Sequence, residues 1–280
     1  MSLIDFILNV AGLLLWLNWR AVRFDPLAQT SPATLVGTLR RAEPSRVKRW
    51  YLLAALAGLL LLRASFFWQI GSAVNWTANL RLVVISPSFR SDFFGRMLLF
   101  SILSFGLTLA VFYLWLLFLS FFDRRNAETN PLRKLARFHL GRVDYWPWPV
   151  KLALPLLAGM AVWWLLSWPL ASWSVVPRPV SAAHRFEQAS LVGLSGYLSW
   201  KYLAAAFLTL HLVNSYVYLG NHPFWNGVNA TARALLTPLR PLPLRAGKVD
   251  FAPVLGLALV FLAARLAEWG LTALYSKLPI

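Results

Sequence analysis

The sequence predicts an all-α fold of about six membrane-spanning helices, and three observations carry that expectation. Of the 280 residues, 59% are hydrophobic and only 13% charged. The apolar residues fall in runs close to the roughly 20 needed to cross a hydrocarbon core. The basic residues concentrate in alternate connections between those runs. A soluble chain usually carries about a quarter charged residues. A mean hydropathy of +0.59 leaves too little polar surface to cover six apolar helices in water.

The runs are Leu3 to Trp19, Trp50 to Ile70, Met97 to Phe122, Val150 to Trp173, Leu191 to Leu219 and Phe251 to Leu271. The first is the weakest, being short and carrying Asp5 and Asn9. A signal peptide is the competing reading for it. Met1 to Phe6 holds no Lys or Arg, however, and the run ends in Trp19-Arg20 rather than at small residues, so a retained helix is expected. Trp residues crowd the run ends, as in an interfacial belt: Trp16, Trp19, Trp50, Trp68, Trp146, Trp148, Trp168 and Trp173. The chain has no cysteine, which excludes disulfides, cysteine-ligated metals and thiol nucleophiles.

The net charge of +17 is first a topology signal. Arg20 to Arg49 and Phe122 to Lys151 each hold seven basic residues, and Gly220 to Asp250 holds four; Gly71 to Arg96 holds three and Ser174 to Ser190 two. Short basic connections stay cytoplasmic, so the first, third and fifth connections are expected inside and both termini outside. The test is cysteine labelling of this cysteine-free chain. Sites near Ala127 and Ala246 should be shielded from an outside reagent and a site near Ser181 should react; the reverse pattern would invert the topology. The same charge attracts anionic headgroups at the cytoplasmic face, and its placement argues against nucleic acid as the partner.

Each heavy connection joins two runs, which suggests three copies of one unit: a divergent first unit at 1–96, a second at 97–190 and a third at 191–280, the first two ending in outer connectors. The second contains Asn130-Pro131 and then Gly141-Arg142-Val143-Asp144-Tyr145-Trp146-Pro147; the third contains Asn221-His222-Pro223 and then Gly247-Lys248-Val249-Asp250-Phe251-Ala252-Pro253. A polar residue before Pro reads as a helix start. Phe224, Val228, Ala232, Leu235 and Leu239 then recur on one helical face. In the second copy Leu132, Leu135, Ala136 and His139 oppose Arg133, Lys134 and Arg137. Two placements fit these connector helices: lying in the membrane interface, or packed on the protein. The run Thr237-Pro238-Leu239-Arg240-Pro241 must end the second of them. Gly247 permits a tight turn. Asp144 and Asp250 fit as caps of the following spans, with Pro147 and Pro253 in the first turn; a catalytic or proton-carrying role is the rival reading.

Charges inside spans are costly unless paired or wetted. Asp5, Arg63, Lys201, Arg265 and Glu268 fall at roughly one depth at about 1.5 Å per residue. They are expected either to form an outward-facing polar cluster or to snorkel separately to the headgroups. His211 and Asn214 are expected to bond between helices.

The segment from Asn221 through Leu236, Pro238, Leu239 and Arg240, followed by Gly247, Asp250, Pro253 and an apolar run, resembles the YggT family of small bacterial membrane proteins, related to the YlmG proteins. The resemblance is good over Tyr202 to Ala273, weaker over Leu114 to Trp168, where the Pro-Leu-Arg part is missing, and faint over the first 70 residues. It implies a bacterial inner-membrane location and loose links to cell division, membrane organisation and osmotic tolerance. It supplies no catalytic, cofactor or metal residue. Three units depart from the one or two common in the family.

The expected function is therefore non-enzymatic: a membrane scaffold, or a module binding lipid headgroups, membrane-protein partners or other copies of itself. The alternative is a small transporter or channel component using the intramembrane charges. A lipid enzyme would need clustered His, Asp or Glu at headgroup level, and no HExxH, GxSxG or Gly-rich phosphate loop occurs.

Overall fold

The computed structural model describes residues 2–21, 49–74, 76–80, 82–83, 85–121, 131–179, 181–217, 222–241, 245–246 and 249–277. Most of the first connector, Ala127, Asn130, Asn221 and Gly247 lie outside the described residues, as do the side chains of Ala246 and Asp250. Among the described residues the fold is all-α, with six stretches long and apolar enough to span a membrane. The helices are α1 (Ser2–Ala21), α2 (Arg49–Val74), α3 (Phe94–Phe121), α4 (Pro131–Leu140), α5 (Trp148–Ser172), α6 (Ala182–Ser195), α7 (Trp200–Tyr216), α8 (Pro223–Leu235) and α9 (Ala252–Ser276). Two short antiparallel ladders join them, β1 (Thr77–Asn79) with β2 (Ser88–Arg90) and β3 (Arg245–Ala246) with β4 (Val249–Asp250).

Only 11 to 39% of each span's most apolar window is buried in protein. The rest presents Leu, Phe, Val and Trp outward, as at Leu62, Leu165, Trp168, Leu266 and Trp269. Apolar surface on that scale is untenable in water, so the chain is a polytopic membrane protein whose outer faces meet lipid.

The chain divides into two compact units, Met1–Leu80 with Ser88–Leu109, and Arg81–Pro87 with Ala110–Ile280. In the first, α1 and α2 run antiparallel in a seven-residue register. Asp5 pairs with Arg63, a Cβ on Gly12 would sit 3.5 Å from Leu56, and the Arg49 guanidinium lies 4.3 Å from the Trp19 ring. Positions 5, 12 and 19 thus face 63, 56 and 49. Seven residues are nearly two helical turns, so this spacing keeps one seam in contact along both helices. The first half of α3 joins them through Ser101, which donates to the Leu60 carbonyl at 2.9 Å. Phe67, Trp76, Phe89 and Phe100 form a ring cluster, with Phe67–Trp76, Phe67–Phe100 and Phe89–Phe100 centroids 5.1 to 5.9 Å apart, and seat the β1–β2 hairpin.

In the second unit α5 and α6 form an antiparallel pair at very close approach. A Cβ on Gly193 would lie 2.5 Å from the Leu156 carbonyl oxygen, and one on Gly159 would lie 2.7 Å from the Gly193 Cα. Without a hydrophobic force between helices in lipid, such small-residue contacts supply the packing. Gly193→Val should therefore cost about 1–3 kcal/mol, read as a lowered Tm in detergent. Gly58→Val, which meets nothing within 4 Å, is the control; an unchanged Tm for Gly193→Val would rule out this crossing.

The fifth span differs from the expected Leu191 start. It begins at Ala182, because Ser181 caps it by accepting from the His184 N–H at 3.1 Å, and it runs to Tyr216 with a 3-10 break at Gly196–Ser199. Its first turns read as loop because His184, Arg185, Glu187 and Gln188 depress the hydropathy. At the end of the break the Ser199 carbonyl accepts from the Trp115 indole at 3.1 Å, while the Trp200 indole donates to Leu114 O at 3.0 Å.

The connector helices begin at Pro131 and Pro223 as expected, and the Pro238 run ends α8 in a 3-10 turn. The residue capping α8 is His222, whose ring accepts from the Phe224 N–H at 3.3 Å. Val228 and Ala232 are fully buried among Leu116, Phe207, Leu208 and Leu236. The apolar face of α8 is thus occupied by protein. The face of α4 is rotated from its expected setting: Arg133 is buried with Ala136 and His139, while Leu135 is exposed.

Candidate functional site

In the second unit Asp144 is the centre of a buried charge network. Gly141 starts it by leaving α4 with φ +57°, a conformation that costs Gly little and other residues more. The following 3-10 turn, Gly141–Tyr145, carries Asp144 back under α4. Its carboxylate lies 3.5 Å from the Arg133 guanidinium, 3.6 Å from Arg137 Nε and 3.7 Å from Lys151 Nζ. Arg133 and Arg137 reach it because they stand four apart on one helical face.

Lys151 is 1% exposed. Its ammonium donates to Ser120 Oγ at 2.6 Å and to the Asp144 carbonyl at 2.5 Å. Arg133 donates to the Ser120 carbonyl at 3.2 Å. Ser120 lies in the last turn of α3, where carbonyls lack helical partners and the helix dipole is negative. The network therefore ties the end of α3, the connector α4 and the start of α5 together. This corrects the reading of Asp144 as a cap: the residue preceding α5 is Pro147, with no side-chain cap. Before α9 the corresponding residue is Phe251, again without a side-chain cap.

A cavity of about 390 Å³ opens on this network, lined by Arg133, Arg137, Asp144, Tyr145, Trp146 and Pro147. Arg137 is 40% exposed. It stands 5.9 Å from the Tyr145 ring centroid, and its Nε is buried without a hydrogen bond.

The first unit holds a second buried network. Arg63 is 1% exposed and pairs with Asp5. It also donates to Asn9 Oδ1 at 2.7 Å, and Asn9 donates to Ser104 Oγ at 3.0 Å. Phe67 and Phe100 flank its guanidinium at 5.7 and 5.4 Å. Asn9 follows Asp5 by one helical turn, so α1 offers both acceptors on one face.

Of the five intramembrane charges, Asp5 and Arg63 thus meet in the first unit. Lys201 and Glu268 pair in the second, with the Lys201 ammonium 5.0 Å from the Tyr202 ring centroid. Arg265 is exposed on α9 and makes no ion pair among the described residues. His211 bonds Asn229 at 2.8 Å, from α7 to α8, as an interhelical bond rather than a metal ligand. Sequence reasoning did not single out Ser104, Ser120, Arg133, Arg137 or Lys151 as network members. The four-residue spacing of Arg133 and Arg137 was the available signal. Among the described residues no group of His, Asp or Glu is placed to hold a metal ion. No family model, curated protein or solved structure matches the chain.

Proposed function

We propose that this chain is a non-enzymatic integral membrane protein that organises lipid or protein partners through a basic face at one end of its spans. The observation that carries the reading is the second connector region. Residues 122–151 hold seven Lys and Arg against Asp123, Glu128 and Asp144, a net of +4. Tyr145, Trp146 and Trp148 of the same segment are exposed. Positive charge next to amphipathic aromatics is the composition of a headgroup-facing surface.

The orientation with this face in the cytoplasm of a bacterial inner membrane belongs to the same proposal, as does descent from a repeated YggT-like unit. One shared order supports the repeat: α3, α4 and α5 in one stretch of chain, and α6–α7, α8 and α9 in the other, are each a span, a Pro-started connector helix and a span. Co-purification of protein partners and of lipids in mild detergent tests the function. Anionic phospholipid should be retained several-fold over zwitterionic phospholipid; equal retention, with no protein partner recovered, would overturn the reading. The transporter alternative draws no specific support from the charges, since Arg63 and Lys201 each form a local ion pair and Arg265 joins neither among the described residues.

A further inference from the structure

We infer that the cavity beside Asp144 is a discrete binding site for a phosphate group, supplied by an anionic lipid headgroup, with Arg137 as the residue that grips it. The inference rests on the lipid-binding reading above and gives it a location and a ligand chemistry.

The cations around Asp144 divide by what holds them. Lys151 is sealed and bonded to Ser120 and to the Asp144 backbone. Arg133 bonds the Ser120 carbonyl and faces the carboxylate at 3.5 Å. Arg137 is different. It meets Asp144 through Nε at 3.6 Å, too long for a hydrogen bond, and 40% of its side chain is open. One carboxylate faces three cations here, and the regional charge is +4 even when the acids of the preceding segment are counted. The local field therefore calls for an anion.

The cavity has room for one. Its volume of about 390 Å³ lies in the range of small-molecule sites, about 300–1,000 Å³. A planar guanidinium with free N–H groups suits the oxygens of a phosphate, to which it can donate two parallel bonds. Exposed Tyr145 and Trp146 on the cavity rim are the residue types that sit at headgroup level. That position selects a lipid phosphate over a soluble one.

The test uses the full chain in detergent micelles and native mass spectrometry, with phosphatidylglycerol or phosphatidylcholine added. Wild type should retain phosphatidylglycerol preferentially. Arg137→Gln should lose about tenfold in that retention, the equivalent of one charge-assisted contact. Arg137→Lys, keeping charge without the fork, should fall between. Lys134→Gln, an exposed neighbour on the same helix, should stay within about twofold of wild type, because a solvated charge contributes little. A melting curve for each variant separates lost binding from lost folding.

A second arm adds inorganic phosphate without lipid. If phosphate raises the Tm of wild type but not of Arg137→Gln, while phosphatidylglycerol shows no preference, the lipid source is overturned and the site takes a soluble phosphate. If phosphatidylglycerol is preferred equally by wild type and Arg137→Gln, the site is overturned while the general affinity for anionic lipid stands. No lipid preference and no phosphate response in wild type would overturn both.

Discussion

Asp5→Ala is expected to destabilise the protein by about 3 kcal/mol, measured by SDS-driven unfolding in mixed micelles. The reason lies in the asymmetry of the pair. Arg63 is 1% exposed and Asp5 is 26% exposed. Removing one partner of a buried ion pair costs about 3–5 kcal/mol, chiefly because the other charge is left in a poor solvent. Here the stranded charge would be Arg63, inside a span and shielded by Phe67 and Phe100, with Asn9 as its remaining acceptor. The open face of Asp5 places the cost at the lower end of that range. Arg63→Met should cost less, because the carboxylate left behind is partly exposed to the polar edge of the bilayer. The double variant Asp5→Leu with Arg63→Met should be more stable than Asp5→Ala, since an apolar pair needs no compensation in lipid. If the effects of Asp5→Leu alone and Arg63→Met alone simply add in this double variant, the pair is not coupled and the argument fails.

Much of the fold was legible from hydropathy alone, for a physical reason. A span must be apolar over a fixed length whatever it packs against, so each one announces itself locally. The same holds for Pro131 and Pro223, where helices start, and for the Pro238 run that stops α8, since Pro acts on its own backbone. The polar residues were harder. His184, Arg185, Glu187 and Gln188 read as loop because nothing local reports that a Ser181 cap and a neighbouring helix will hold them. Arg133 read as a solvated residue because hydrophobic periodicity assigns cations to the outer face. Its true setting depends on Asp144, eleven residues away, and on the end of α3. The five intramembrane charges were read as one cluster or as separate snorkelling residues, and shared depth does not identify which helices touch: two local pairs form and Arg265 joins neither. Asp5 and Arg63 meet because positions 5, 12 and 19 oppose 63, 56 and 49, a register that only the packed seam defines. Gly159 and Gly193 carried no sequence signal of their crossing, since they lie on different helices.

Asp144 supplies the sharpest separation of a local role from a tertiary one. If its carboxylate served as a helix cap, Asn would replace it almost without loss, because Asn and Asp cap about equally well. Asp144 is instead 2% exposed, with Arg133, Arg137 and Lys151 within 3.7 Å. Asn keeps the shape and removes the charge that opposes three cations in a buried setting. Asp144→Asn should therefore destabilise by about 3–5 kcal/mol, and Asp144→Ala by a similar amount. The loss should be felt where α3, α4 and α5 join, because Ser120, Arg133 and Lys151 all converge there. Lys151→Met in the Asp144→Asn background should recover part of that loss. It takes away the most deeply buried of the cations, whereas alone it would leave Asp144 with weaker support and be destabilising. Unfolding in mixed micelles, combined with protease accessibility of the α4–α5 junction, reads all four variants. Stability of Asp144→Asn within about 0.5 kcal/mol of wild type would return the residue to a capping role and remove the charge network as the organiser of this end of the fold.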